Sequence, residues 1–279
     1  MPDTIETSTS ESTAEMTPVT VSPSELVRRA QSLVPMIRER QEETEANGRV
    51  SAEIFGAIRD AEIFKILLPR RYGGFEYGLD TFAEVGFEIA RGCGSVGWVN
   101  SVTAMYHVFL GMYPERAQDD VWGENPGAVL AASFTPTGTV TPVDGGYSLT
   151  GKWMFCSGVD NCAWTIVGVT IPAAVEGEPD GKAYALVRTS EFDMENNWNV
   201  VGLSGTGSKN IMCNELFVPE YRLLPIEETM TGNPPGAAVN DGPLYRIPLF
   251  AAMSCSLVAP IMGMAQGAID EFIDLTKGR

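Results

Sequence analysis

Histidine is almost missing from this sequence: His107 stands alone among 279 residues. A histidine-rich metal site is therefore excluded within the chain. A Ser-His-Asp triad would have to use His107, and no Gly-x-Ser-x-Gly elbow accompanies it. Cysteine is sparse as well. Cys93, Cys156, Cys162, Cys213 and Cys255 are odd in number and form no Cys-x-x-Cys pair. That pattern argues against a zinc cluster or a disulfide framework and for reduced thiols in a cytoplasmic protein. Positive charge is scarce: 19 basic against 36 acidic residues leave a formal net charge of −17. Nucleic acid and anionic membrane surfaces are excluded as natural partners. The Gly-x-Gly-x-x-Gly spacing at Gly92-Cys93-Gly94-Ser95-Val96-Gly97 falls between two expected helices and not after a strand, so it is no phosphate loop; no nicotinamide-binding pattern and no secretory signal are visible.

With 44% hydrophobic residues, the chain has enough apolar material for one large or two medium domains. Residues 1–21 are rich in Ser, Thr and Glu, which predicts a disordered tail. Residues 22–127 read as a helical domain. Ser22-Pro23-Ser24-Glu25 has the form of a capping box with proline at the first helical position. Leu26, Ala30, Leu33, Val34 and Ile37 then recur at helical spacing. A second helix follows Ser51 and a third opens at Thr81. Ser95 is expected to cap a fourth, apolar helix reaching about Leu110, and Pro114 to start a short fifth.

Residues 128–228 read as a β domain. Strands are expected over 129–134, 140–143, 147–155, 163–171, 183–188 and 211–218, with Asp144-Gly145-Gly146 as a hairpin turn. Residues 229–245 form a long Gly/Pro/Asn-rich loop, and 246–279 the first helix of an incomplete C-terminal helical domain. No charge occurs between Arg246 and Asp270, a length that could span a bilayer. Its Ala, Gly, Ser and Met content, with Pro260 and Gln266 inside, favours a helix buried on all sides by protein neighbours. The chain ends within this helix, so further helices or other subunits are expected to cover it.

Three motifs in order carry a resemblance: "LLPRRYGGFEYGLD" (67–80), "VDGGYSLTGKWMFCSG" (143–158) and "VVGLSGTGSKNIMCNELFVP" (200–219). They resemble the acyl-CoA dehydrogenase fold, an α+β arrangement of N-terminal helices, a central β-barrel-like domain and a C-terminal helical bundle. Finer details are similar to one branch, the flavin-dependent aromatic monooxygenases. These details are "SVGWVNS" (95–101), "PTGT" (136–139), the "FCSG" strand end and "WNVVGLSGTGSK" (198–209). That two-component group includes the oxygenases of p-hydroxyphenylacetate and of phenolic steroid-ring catabolism. Its usual Gly-Leu-Arg-Gly-Thr-Gly reads here with Ser204 at the arginine position.

The resemblance implies an oxygenase component that hydroxylates a small phenolic substrate through a C4a-hydroperoxyflavin. Molecular oxygen is the co-substrate, and reduced FMN or FAD comes from a separate reductase. It implies a homotetramer and no metal. It places Phe155 as an apolar wall and Ser157 at flavin N5; otherwise Ser157 is a turn-capping hydroxyl. It makes His107 a contact of the substrate hydroxyl, against the reading of a core histidine bonded to a backbone carbonyl. Ser133 becomes a substrate-side or flavin-side serine, against a β-edge hydroxyl. Thr135, Gly138 and Thr139 would cradle the flavin edge and phosphates. Arg246 would contact flavin, in this subunit or a neighbour, and Trp98 would wall the substrate pocket. Two rival readings are an acyl-CoA dehydrogenase acting on a thioester, and a truncated homologue without catalysis. Against the first stands the absence of its usual Glu-Pro-x-x-Gly-Ser-Asp.

Overall fold

The computed structural model describes residues 21–173, 175 and 177–277. The expected tail lies outside these residues except for Val21, whose carbonyl accepts a hydrogen bond from the Tyr77 hydroxyl at 2.6 Å. The helical part comprises α1 (Pro23–Glu39), α2 (Gln41–Asn47), α3 (Ala52–Asp60), α4 (Leu79–Gly92), α5 (Gly94–Leu110) and α6 (Glu115–Gln118). A π turn over Asp119–Gly123 follows α6. Ser22 and Ser51 cap α1 and α3, each accepting a backbone N–H at 3.2 Å. The capping box is only half made, because the Glu25 carboxylate turns instead to Arg28 and Arg29.

Ser95 does not cap α5. Cys93 holds that position, and Ser95 lies inside the helix with its hydroxyl donated to Glu45. Except at Gly94 and Trp98, every residue of α5 is buried, so it is the central helix of this half.

The β part is one mixed sheet ordered β5-β6-β2-β1-β3-β4-β7. The strands are β1 (Leu130–Val143), β2 (Gly146–Cys156), β3 (Trp164–Ile171), β4 (Gly181–Arg188), β5 (Asp193–Glu195), β6 (Lys209–Pro219) and β7 (Leu223–Pro225). Only β1 and β3 pair in parallel. The two strands expected over 129–134 and 140–143 are a single long strand. Its register against β3 shifts between Ser133 and Gly138, and that irregularity is what looked like a break in the sequence. The β1–β2 hairpin turns at Asp144-Gly145, where Gly145 alone takes a positive φ, 76°.

After β7, short 3-10 turns carry the chain across the helical half, where buried Asn240 donates to the Gly111 carbonyl at 2.8 Å. The last element is α7 (Leu249–Lys277). It is long and apolar enough to cross a membrane by length and composition. It packs on α4 and α5 through a row of small residues: a Cβ at Gly263 would lie 2.2 Å from the Phe87 carbonyl oxygen. Arg91 and Asp270 close the far end of the contact with a 2.6 Å ion pair. The helix is not buried on all sides. Ile261, Ile269 and Phe272 are exposed on the opposite face, and Val258 and Met262 on the flank toward α1.

Candidate functional site

The C-terminal end of β2 changes character within five residues. Trp153 is fully buried, with its indole N–H donated to the Gly168 carbonyl at 2.7 Å. Its ring occupies the space that side chains at Gly138 and Gly151 would fill: a Cβ on Gly138 would stand 2.1 Å from Trp153 Cζ2. Packing against Trp153 is thus reason enough for Gly138, apart from the flavin cradle that the resemblance implies for it. The next two residues leave the core. Met154 is 53% and Phe155 63% exposed. Phe155 sits at φ 62°, in the left-handed region that non-glycine residues avoid. This is the extra residue of a β-bulge, since Trp153 pairs with Ile211 but Cys156 with Lys209. The outward ring meets Trp198 edge-on, with centroids 5.8 Å apart.

Cys156 returns to the core, where burial pushes its thiol up to about 12, so it stays protonated and inert. Ser157 follows, half-buried, its hydroxyl 2.8 Å from that of Ser208. Ser208 lies 2.8 Å from the hydroxyl of Thr206, which donates to the Leu203 carbonyl at 2.9 Å. Gly158, at φ 70°, brings the turn against Val99 and Thr103 of α5. Ser133 of β1 joins this end by donating to the Met154 carbonyl at 2.9 Å.

Beside it lies a cavity of about 600 Å³ lined by Glu45, Arg49, Asp160, Trp198, Ser204 and Lys209. Lys209 pairs with Asp160 within it. Glu45 accepts from the hydroxyls of Ser95 and Ser204 and from the Gly205 N–H at 3.2 Å. Burial raises its pKa most strongly, but the hydrogen bonds from Ser204, Ser95 and Gly205 together hold it below the ordinary value. The serine at the family's arginine position therefore has a partner, a carboxylate from α2. A second cavity of about 610 Å³, apolar, lies between α1, α4 and α7 and includes Val27, Phe87 and Met262.

The structure gathers Phe155, Ser157 and Ser133 at one strand end. Thr135 is exposed just beyond Ser133. Thr139 lies elsewhere: it pairs with Thr150, seven residues back along β2 from Ser157, about 20 Å at strand rise. Trp98 is half-buried at the start of α5. His107 lies one turn beyond Thr103 on that helix, 1% exposed, with Nε2 3.2 Å from the Ala128 carbonyl and its ring 5.7 Å from that of Trp122. Among the described residues its Nδ1 finds no partner at good hydrogen-bond geometry. Burial lowers its pKa to about 4, with the Ala128 and Phe64 carbonyls opposing. This is the geometry of a core histidine bonded to a backbone carbonyl. Arg246 is exposed and ties the preceding loop together through Asn233 at 3.1 Å and the Ala237 carbonyl at 3.2 Å.

Sequence reasoning missed Glu45, Thr206 and Ser208. The latter two stand inside the quoted "GLSGTGSK", where alternating Gly and hydroxyl residues are the available signal. Glu45 carried none.

Comparison with known proteins bears on this geometry. Residues 27–122 match the family model described as acyl-CoA dehydrogenase, N-terminal domain. The oxygenase component of FADH(2)-dependent resorcinol hydroxylase from Rhizobium sp. (strain MTP-10005) is 35% identical over 91% of this chain and 62% of its own length. The crystal structure of the HsaA monooxygenase from M. tuberculosis, 34% identical, superposes with a TM-score of 0.87 over 91% of this chain and 69% of that one. XiaF from Streptomyces sp., solved with FADH2 and glycerol, is 28% identical with a TM-score of 0.81, covering 90% of this chain and 63% of that one. The chain thus spans less than two thirds of the length of the resorcinol hydroxylase component it matches.

Proposed function

Because this chain belongs to the oxygenase components of flavin-dependent monooxygenases built on the acyl-CoA dehydrogenase fold, we propose that it serves a two-component hydroxylase acting on a small phenolic compound. The observation that carries the reading is Phe155, strained at φ 62° and yet 63% exposed. A left-handed non-glycine residue costs of order 1–3 kcal/mol, and an exposed aromatic returns little of that unless it covers something flat and apolar.

The strand end suits an isoalloxazine ring. Met154 and Phe155 would cover one face and keep water from it. Trp198 braces Phe155, and Ser133 fixes the Met154 carbonyl so that the bulge holds its shape. Ser157 would hold the N5 edge. Thr135, exposed at the same end, would meet the ring's rim. When bound, reduced flavin supplies the electrons that activate dioxygen, so that one oxygen atom enters the aromatic ring. His107 is neutral at pH 7 because its pKa is near 4; we assign it to bracing the helical wall together with Trp98, not to removing the phenol proton.

The partner is a flavin reductase that delivers FMNH2 or FADH2. The working assembly is a homotetramer, a reading supported by the exposed apolar face of α7.

The test is to titrate the chain anaerobically with reduced FMN and FADH2, then add oxygen and simple phenols, and measure hydroxylated product and hydrogen peroxide. Wild-type protein is expected to bind reduced flavin and yield product over peroxide. Ser157→Ala should still bind but divert turnover to peroxide by about tenfold, the value of one strong hydrogen bond. Unchanged coupling removes Ser157 from the mechanism, and absence of flavin binding overturns the reading.

A further inference from the structure

The hydroxyls of Thr206, Ser208 and Ser157 form a chain whose direction is fixed by its inner end. Thr206 Oγ1 stands 2.9 Å from the Leu203 carbonyl oxygen. Two oxygens at that distance need a proton between them, and a carbonyl has none to give, so Thr206 donates. Each hydroxyl has a single proton. Thr206 has spent its own and must accept from Ser208 across 2.8 Å. Ser208 in turn must accept from Ser157 across 2.8 Å. The proton of Ser157 therefore points inward, and its free lone pair faces the accessible side.

Burial keeps the order fixed, because Thr206 and Ser208 are each 2% exposed and meet little water that could reverse it. Leu203 presents its carbonyl from a left-handed conformation, φ 59°. The same oxygen accepts the Trp198 indole N–H at 2.9 Å, so one backbone group anchors both this chain and the brace behind Phe155.

We propose that Thr206 and Ser208 are positioning residues that make Ser157 an acceptor, so that the site selects flavin by redox state. The inference rests on the flavin reading above. Flavin N5 bears a hydrogen in the reduced molecule and only a lone pair in the oxidised one. An acceptor at Ser157 bonds the first and opposes the second. To donate to oxidised N5, Ser157 would have to abandon Ser208 in a buried site. Reduced flavin is thus held and oxidised flavin released, the exchange that a diffusible flavin requires.

The test is equilibrium binding, not turnover. Dissociation constants for oxidised FMN or FAD are measured aerobically, and those for the reduced forms anaerobically, on wild type, Ser208→Ala and Thr206→Val. Wild type should favour reduced flavin. Ser208→Ala frees the Ser157 proton, so oxidised flavin should tighten while reduced flavin holds. The ratio of the two constants should fall at least tenfold, which lowers the bound midpoint potential by about 30 mV. Thr206→Val should move the ratio the same way by less. In a Ser157→Ala background, Ser208→Ala should change nothing further. Variants that bind reduced flavin with the wild-type ratio overturn this inference alone. Wild-type protein that binds neither redox form overturns the flavin reading and this one with it.

Discussion

An imidazole that resists protonation makes itself felt in acid. Buried His107 has its pKa lowered to about 4, from an ordinary 6.5. The unfolded chain therefore takes up a proton at a pH where the folded chain refuses it. The stability this represents is complete above 6.5 and drains away as the pH falls toward 4. Between pH 7.5 and pH 5 the loss should be about 2 kcal/mol. Denaturant unfolding of wild type and His107→Gln at both pH values measures it: the variant should lose less by about that amount. An equal loss in both proteins would mean that His107 is protonated or exposed in the folded state. The same residue shows where residue-level reading stops. From sequence, His107 on an apolar helix fitted both a substrate contact and a core bond to a carbonyl. What the structure adds is Ala128, 21 residues away and 3.2 Å distant, which no spacing rule foretells. Phe155 and Ser157 were legible because they sit at a visible change from apolar strand to polar turn. Ser208 was not, because its meaning depends on which strand β2 pairs with.

Glycine substitutions should separate the helices by what each one touches. On α7, Gly263 allows backbone contact with α4, and an added methyl would stand 2.2 Å from the Phe87 oxygen and 2.8 Å from Ala90 Cβ. Gly263→Ala should destabilise by about 1–3 kcal/mol, the usual cost of overpacking. In α3, Gly56 has no atom within 4 Å of an added Cβ. There the same change should stabilise by about 0.5–1 kcal/mol through helix propensity. Thermal melts of the two variants test the pair, and matching signs would contradict the packing described. The elements that sequence alone located were those with their own local signals. The helix start after Ser51, the Asp144-Gly145 turn and the apolar run of α5 are examples. Helix α2 was missed because QEETEAN has no apolar periodicity. Tertiary bonds hold it instead, chiefly those of Glu45 to Ser95, Ser204 and Gly205. The short strands β5 and β7 were missed for the same reason: three residues carry no pattern, and each exists by pairing with a longer neighbour.

The helical and β parts share a single apolar core, and this decides how the molecule should unfold. Phe109 of α5 packs edge-on to Tyr184 of β4 at 4.8 Å and stacks on Phe134 of β1 at 5.5 Å. Tyr113, just past α5, donates its hydroxyl to the Tyr184 carbonyl at 3.0 Å. Asn161, beyond β2, donates to the Val50 carbonyl at 3.2 Å, and Tyr221 and Arg222 reach back to Asp120. Neither half can open without exposing the other's buried aromatic rings, so the sequence's division into a helical and a β domain is one of topology, not of stability. Helical circular dichroism and the tryptophan fluorescence of a Trp98→Phe, Trp122→Phe variant, which leaves Trp153 and Trp164 as the buried reporters in the sheet, should therefore lose their native signals at one common midpoint. Phe109→Ala should cost about 3–5 kcal/mol and shift both midpoints together, although Phe109 belongs to a helix. Loss of the helical signal at lower denaturant than the tryptophan signal would show two units folding separately. In that case the turn at Gly158 could not rely on Val99 and Thr103 to hold the β2 strand end in place.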